Sequence, residues 1–168
     1  MKNKIDDWIS LVPNCQSETQ ILNWESAIHA KDWVRDIDNM HHKYDVHRIV
    51  RSLDKEQLRT FLKFRLDFLN EELRETEKAA YDGDEIDCEE VVDGLIDLCV
   101  VAIGTLNLFG VDSHWAWEEV HKANMNKEVG IKEGRDNPLG LPDLCKPKDW
   151  QPPSHAGNHG LLTKLNES

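Results

Sequence analysis

Two short acidic motifs stand out by residue type and spacing. The first is Glu72-Leu73-Arg74-Glu75. The second is Glu90-Val91-Val92-Asp93, with Asp97 one turn further on. On a helix, residues three apart lie about 60° around the axis with Cβ atoms about 5–6 Å apart, so Glu72 and Glu75 share a face. Glu90, Asp93 and Asp97, at i, i+3 and i+7, share another. If two antiparallel helices carry these motifs, four or five carboxylates point into one cleft. Each buried carboxylate is costly without a partner, and like charges this close raise one another's pKa. Divalent cations are the simplest compensation. All-oxygen ligation with no convergent cysteine favours Mg²⁺, or Mn²⁺ in its place, over Zn²⁺.

An E-x-x-E motif alone is common on solvated helices. Asp97 is harder to place in water, because its neighbours Leu95, Ile96, Leu98 and Cys99 are apolar. A carboxylate in that company is expected to be buried, and burial needs a reason. The pair of motifs, the second entering an apolar helix, is therefore far more specific than either motif alone.

The elements that must position these groups read as helices, with no sheet. From about Glu18 to Tyr44 the chain has no Gly or Pro, and Ile21, Trp24, Ile28, Val34 and Ile37 predict an amphipathic helix with a break near Lys31. Asp45 to Leu53 reads as a connecting segment. Asp54 is the expected N-cap of a long helix whose Leu58, Leu62, Leu66, Leu69 and Leu73 form an apolar stripe. Asp82-Gly83-Asp84 ends it in a turn. A second helix is expected from Asp84 or Asp87 to Phe109, stopped by Gly110. From Leu95 onward it is apolar on nearly every face, which predicts burial at the centre of a bundle or in a subunit interface. Asp112 or Ser113 should cap a shorter helix running through Trp115 and Val120 to Met125. The fold class is thus all-α: an N-terminal extension over 1–17, a helical domain over 18–128, and an irregular, Pro- and Gly-rich strap and tail over 129–168.

Length and composition fit this. The chain has 168 residues, with 32 acidic against 20 basic side chains and a formal charge of −12. That balance argues against unaided binding to nucleic acid or to an anionic membrane. The opening residues lack the apolar core of a signal peptide, and the uninterrupted apolar run Leu98–Ile103 is far short of a bilayer span, so cytoplasm is the default expectation. Cys15, Cys88, Cys99 and Cys145 show no C-x-x-C spacing. Cys88 and Cys99 would sit about 16 Å apart on one helix, so free thiols are expected.

The acidic motifs resemble those of the all-α nucleoside triphosphate pyrophosphohydrolases, the superfamily of MazG proteins, dimeric dUTPases and phosphoribosyl-ATP pyrophosphohydrolase. Their shared signature is E-x-x-E, a spacer, then E-x-x-D. The likeness runs over about residues 30–153 and is greatest to the phosphoribosyl-ATP pyrophosphohydrolase-like branch found in phages. It also takes in Val34-Arg35-Asp36, His41, Tyr44-Asp45-Val46, Arg65, Gly104-Thr105, Asn124-Met125-Asn126-Lys127 and Lys146-Pro147-Lys148-Asp149-Trp150-Gln151-Pro152-Pro153. Gly94 departs from the pattern, since relatives more often have Ala there; it should weaken the helix by under about 1 kcal/mol.

The resemblance implies a MazG-like helical bundle assembling as a homodimer or homotetramer. It implies Mg²⁺-dependent hydrolysis of an NTP or dNTP, dGTP or GTP among them, to the monophosphate and pyrophosphate. Glu72, Glu75, Glu90 and Asp93 would hold the metal, with Asp97 as a further ligand or supporting group. Glu75 is the candidate to orient or deprotonate the attacking water. Asn124 and Lys127 would reach the phosphates, and His41 would contact the base. Trp150 with Pro152-Pro153 would pack as a strap.

Several features point elsewhere. His41, His42 and His47 cluster in sequence, but with no cysteine nearby a metal site there is not expected. His155 and His159 sit in a Gly-containing tail, unsuited to helix-borne metal binding. A ferritin-like di-iron bundle would need two E-x-x-H motifs; Glu118–His121 supplies one, and Asp38…His41 is a weak second. A non-catalytic acidic interaction module predicts exposed carboxylates and indifference to Mg²⁺. Phosphoribosyl-ATP hydrolysis is a further alternative, less favoured without a cyclohydrolase partner domain.

Overall fold

A computed structural model describes residues 32–132, 134 and 136–166. The predicted segment before Asp32, including Cys15, Ile21, Trp24 and Ile28, lies outside them. Five α-helices follow in order: α1 (Trp33–Lys43), α2 (Val46–Arg51), α3 (Lys55–Tyr81), α4 (Cys88–Leu108) and α5 (Ser113–Met125). Cys88, Cys99 and Cys145 are free thiols, as expected.

The helix boundaries follow local chemistry. Asp54 caps α3 in a full capping box, its carboxylate accepting from Gln57 N while the Gln57 side chain accepts from Asp54 N, each at 2.9 Å. Asp87 and Asp112 cap α4 and α5 through their side chains alone, accepting from Glu90 N and Trp115 N. Gly110, at φ 72°, supplies the left-handed turn that ends α4.

Two expectations change. Asp45–Leu53 is not a plain connection: it holds α2, six residues long, held by the fully buried Val50 rather than by local propensity. The tail is not free of sheet either. Glu128–Gly130 pairs antiparallel with Asp143–Cys145, and a 3₁₀ helix follows at Gly160–Leu165.

The long helices α3 and α4 pack antiparallel and make the largest interface in the fold. The apolar core occupies one end: Val50, Leu58, Leu108, Phe109 and Val111, closed by Leu161, Leu162 and Leu165 of the 3₁₀ helix. A polar layer comes next. Arg65 donates from Nε to Thr105 Oγ1 and from Nη2 to the Val101 carbonyl, both at 3.0 Å. His41 lies against Gly104, where a Cβ would stand 2.6 Å from its ring. The acidic motifs fall at the far end.

The leucine stripe of α3 is not its buried face. Leu58 is buried, whereas Leu66 and Leu73 are exposed, and the face toward α4 carries Arg65, Glu72 and Thr76. In the same way α4 is not enclosed: Val92, Leu95 and Ile96 are all exposed. By length and composition α4 could cross a membrane. It carries Asp93 and Asp97, however, and packs along α3.

Candidate active site

At the acidic end, α3 and α4 are joined by the 82–87 turn, which sets their carboxylates on facing walls. Close approach of the two helices is needed there. Gly94 provides it, because a Cβ at that position would lie 2.2 Å from Thr76 Oγ1. The departure that the sequence marked as minor is therefore the contact point of the seam.

Glu72 is buried, Asp97 half-buried, and Glu75, Glu90 and Asp93 exposed. Burial raises the Glu72 pKa above the ordinary carboxylate value, and the charges of Asp97, Glu75, Glu71 and Asp93 push it the same way. Each of these four charges therefore lies close enough to act on the Glu72 carboxylate. Glu75 and Glu90 line a cleft of about 490 Å³ with Lys78, Asp82, Glu85 and Asp87. Among the described residues none of the five predicted carboxylates is ion-paired to a Lys or Arg. A buried, uncompensated carboxylate among four others fits divalent cations bound through oxygen. Mg²⁺, which keeps several waters and takes few protein ligands, suits a set this widely spread.

The phosphate-binding candidates are placed differently. Lys127 Nζ donates to Asn124 Oδ1 at 2.7 Å and lies 6.0 Å from the Trp150 ring centroid. Neither residue lines the acidic cleft. A second cleft, about 690 Å³ and apolar, is lined by Cys99, Ile103 and Leu106 of α4 and by Ser113, Trp117 and Val120 of α5. Cys99 lies about 200° round α4 from Asp97, so α5 covers the opposite side. Trp150 ties the tail to this helix, its Nε1 donating to the Ala123 carbonyl at 2.7 Å, with Lys146 over its ring.

His41, the expected base contact, packs inside the bundle instead. Burial and the charge of Arg65 hold its imidazole below the usual pKa, and its Nδ1 is buried without a hydrogen-bond partner. Asp38, which in the sequence pairs only weakly by spacing with His41, lies beside His42 and His47.

Fold and site define an all-α bundle with a carboxylate cleft suited to divalent cations. Residues 46–124 match the family model described as phosphoribosyl-ATP pyrophosphohydrolase. That family belongs to the MazG-like all-α nucleoside triphosphate pyrophosphohydrolase superfamily, whose members are hydrolases of nucleotides, and the matched segment is similar to it. The segment spans α2 to Asn124 and holds all five carboxylates; α1, Lys127 and Lys146–Pro153 fall outside it. No curated protein and no solved structure matches the chain.

Proposed function

We propose that the protein hydrolyses a nucleoside or deoxynucleoside triphosphate between the α and β phosphates, releasing the monophosphate and pyrophosphate in a Mg²⁺-dependent reaction. The observation that carries this reading is the set of five carboxylates on facing helices with no basic partner, one of them buried. Glu72, Glu75, Glu90, Asp93 and Asp97 would hold the ions, and Mn²⁺ could replace Mg²⁺. When bound, the metal offsets phosphate charge and acidifies a water molecule. Without it the cleft repels a triphosphate.

Glu75 is exposed on the cleft lining, placed to accept a proton from the attacking water; Glu72, deeper and harder to ionise, serves as a ligand. Asn124 and Lys127 are assigned to the phosphates, Lys127 exchanging the Asn124 oxygen for a phosphate oxygen on its flexible stem. Homo-oligomerisation belongs to the same proposal. Val92, Leu95 and Ile96 of α4 and Leu66 and Leu73 of α3 form apolar surface that a second copy would cover.

The family match favours phosphoribosyl-ATP as a second substrate class, cleaved at the same bond. A pyrophosphate-release screen over all NTPs, dNTPs and phosphoribosyl-ATP, with Mg²⁺ and with Mn²⁺, separates the two. Release from a (d)NTP, guanine nucleotides included, supports the first reading. Release from phosphoribosyl-ATP alone replaces it with the second, and orthophosphate release from any of them refutes both.

A further inference from the structure

The elbow between α1 and α2 gathers metal-ligating side chains that the hydrolase reading does not use. Asp38 and His42 lie one turn apart on α1. After Tyr44 the chain turns through Asp45, whose φ of 56° and ψ of 25° are uncommon for a non-glycine residue. That turn brings His47, in the first turn of α2, back against α1. His47 Nε2 is 2.8 Å from Asp38 Oδ1, His42 Nε2 is 3.5 Å from Asp38 Oδ2, and the two imidazole centroids are 4.4 Å apart. One ligand atom from each residue lies within 4.8 Å of the other two.

We propose that Asp38, His42 and His47 bind one divalent transition-metal ion of the zinc class, at a surface site separate from the carboxylate cleft. The donors decide the class. Two imidazole nitrogens and one carboxylate oxygen suit Zn²⁺, Co²⁺ or Ni²⁺, whereas Mg²⁺ takes oxygen. Bonds of about 2.0–2.2 Å in a tetrahedral centre put ligand atoms about 3.3–3.6 Å apart. The observed separations bracket that value, so the tight pair must open slightly and the wide side close.

The mobility needed is in the right place. His42 is well exposed and free to swing, while His47 is buried and fixed edge-on against the His41 ring, which packs on Gly104. Among the described residues no Lys or Arg pairs with Asp38; Arg48, close by, pairs with Asp45 instead at 2.6 Å. The fourth coordination position opens to solvent beside the exposed His42. Such an ion would join α1 to α2 across the left-handed residue. Two of its three ligands lie outside the segment that matches the family model.

The test uses the full chain, stripped with EDTA and then titrated calorimetrically with Zn²⁺ in millimolar Mg²⁺. One zinc per chain is expected, and Co²⁺ should give the intense visible bands of a tetrahedral centre. His42→Ala alters an exposed side chain and Asp38→Asn replaces a half-buried one by an isostere, so both should keep wild-type far-UV circular dichroism while zinc affinity falls by at least about tenfold. Zinc binding should persist in Glu75→Gln, whether or not that variant hydrolyses nucleotides. Absence of stoichiometric zinc, zinc binding unchanged in His42→Ala and Asp38→Asn, or loss of the zinc in Glu75→Gln would each overturn the proposal.

Discussion

Replacing Gly94 with alanine adds one methyl group at the α3–α4 seam. That Cβ would stand 2.2 Å from Thr76 Oγ1 and 3.3 Å from Thr76 Cβ. The hydroxyl cannot simply move aside. Thr76 is buried, β-branched and stiff at χ1, and its Oγ1 donates to the Glu72 carbonyl at 2.8 Å. The helices must part instead. A contact this short belongs at the severe end of overpacking, about 3 kcal/mol. Alanine recovers about 1 kcal/mol of helix propensity over glycine, leaving a net loss of about 2 kcal/mol. With Thr76→Ala the nearest contact becomes the 3.3 Å one, which a small shift relieves. Gly94→Ala should therefore cost far less in that background, with a coupling energy of about 1–3 kcal/mol. Urea unfolding of the four proteins of this cycle, followed by far-UV circular dichroism, measures it. Because Asp93 flanks Gly94 and Asp97 lies one turn on, Mg²⁺ affinity should fall in the single variant and recover in the double. A Gly94→Ala protein as stable as wild type, or a cycle with no coupling, would refute the close approach.

Three other outcomes follow from the same geometry. Glu72 holds its proton more tightly in the folded chain than in the unfolded one, so Mg²⁺-free protein should lose stability as pH rises from the ordinary carboxylate value through the raised one. Mg²⁺ should offset that loss, by about 2.7 kcal/mol at a hundredfold excess over Kd. Melts at several pH values check this, and no Mg²⁺ shift at any pH would favour a non-catalytic acidic module. Leu95→Glu places a charge on the exposed apolar face of α4 and should give monomers by light scattering; an unchanged mass would place the oligomer interface elsewhere. Lys127→Ala should raise KM for the triphosphate about tenfold or more with folding intact, and unchanged kinetics would remove Lys127 from the site.

Much of this molecule is readable from residue spacing. Asp54, Asp87, Asp112 and Gly110 mark helix ends by local hydrogen bonding and backbone preference, which hold whatever surrounds them. The acidic motifs are legible because helical periodicity alone puts Glu72 with Glu75, and Glu90 with Asp93 and Asp97. What depends on tertiary contact is not. Helix α2 is too short to stand on propensity and exists because Val50 is buried. Leu66 and Leu73 read as core, yet the seam runs through Arg65, Glu72 and Thr76, since Arg65 has Thr105 and Val101 to bond across it. Among the histidines, adjacency in sequence misleads. His41 faces Gly104, while His42 pairs through its helical turn with Asp38, and His47 joins them after a left-handed residue that no periodicity predicts.

The central claim is that the acidic end of α3 and α4 works on the bond between the α and β phosphates. Its most direct test is ³¹P NMR of a triphosphate substrate, incubated with Mg²⁺ and either wild-type protein or Glu75→Gln. Wild type should give monophosphate and pyrophosphate in equal amounts, and only with the metal present. Glu75→Gln should give neither while keeping its helical circular dichroism. Formation of diphosphate and orthophosphate, or full turnover by Glu75→Gln, would contradict the account.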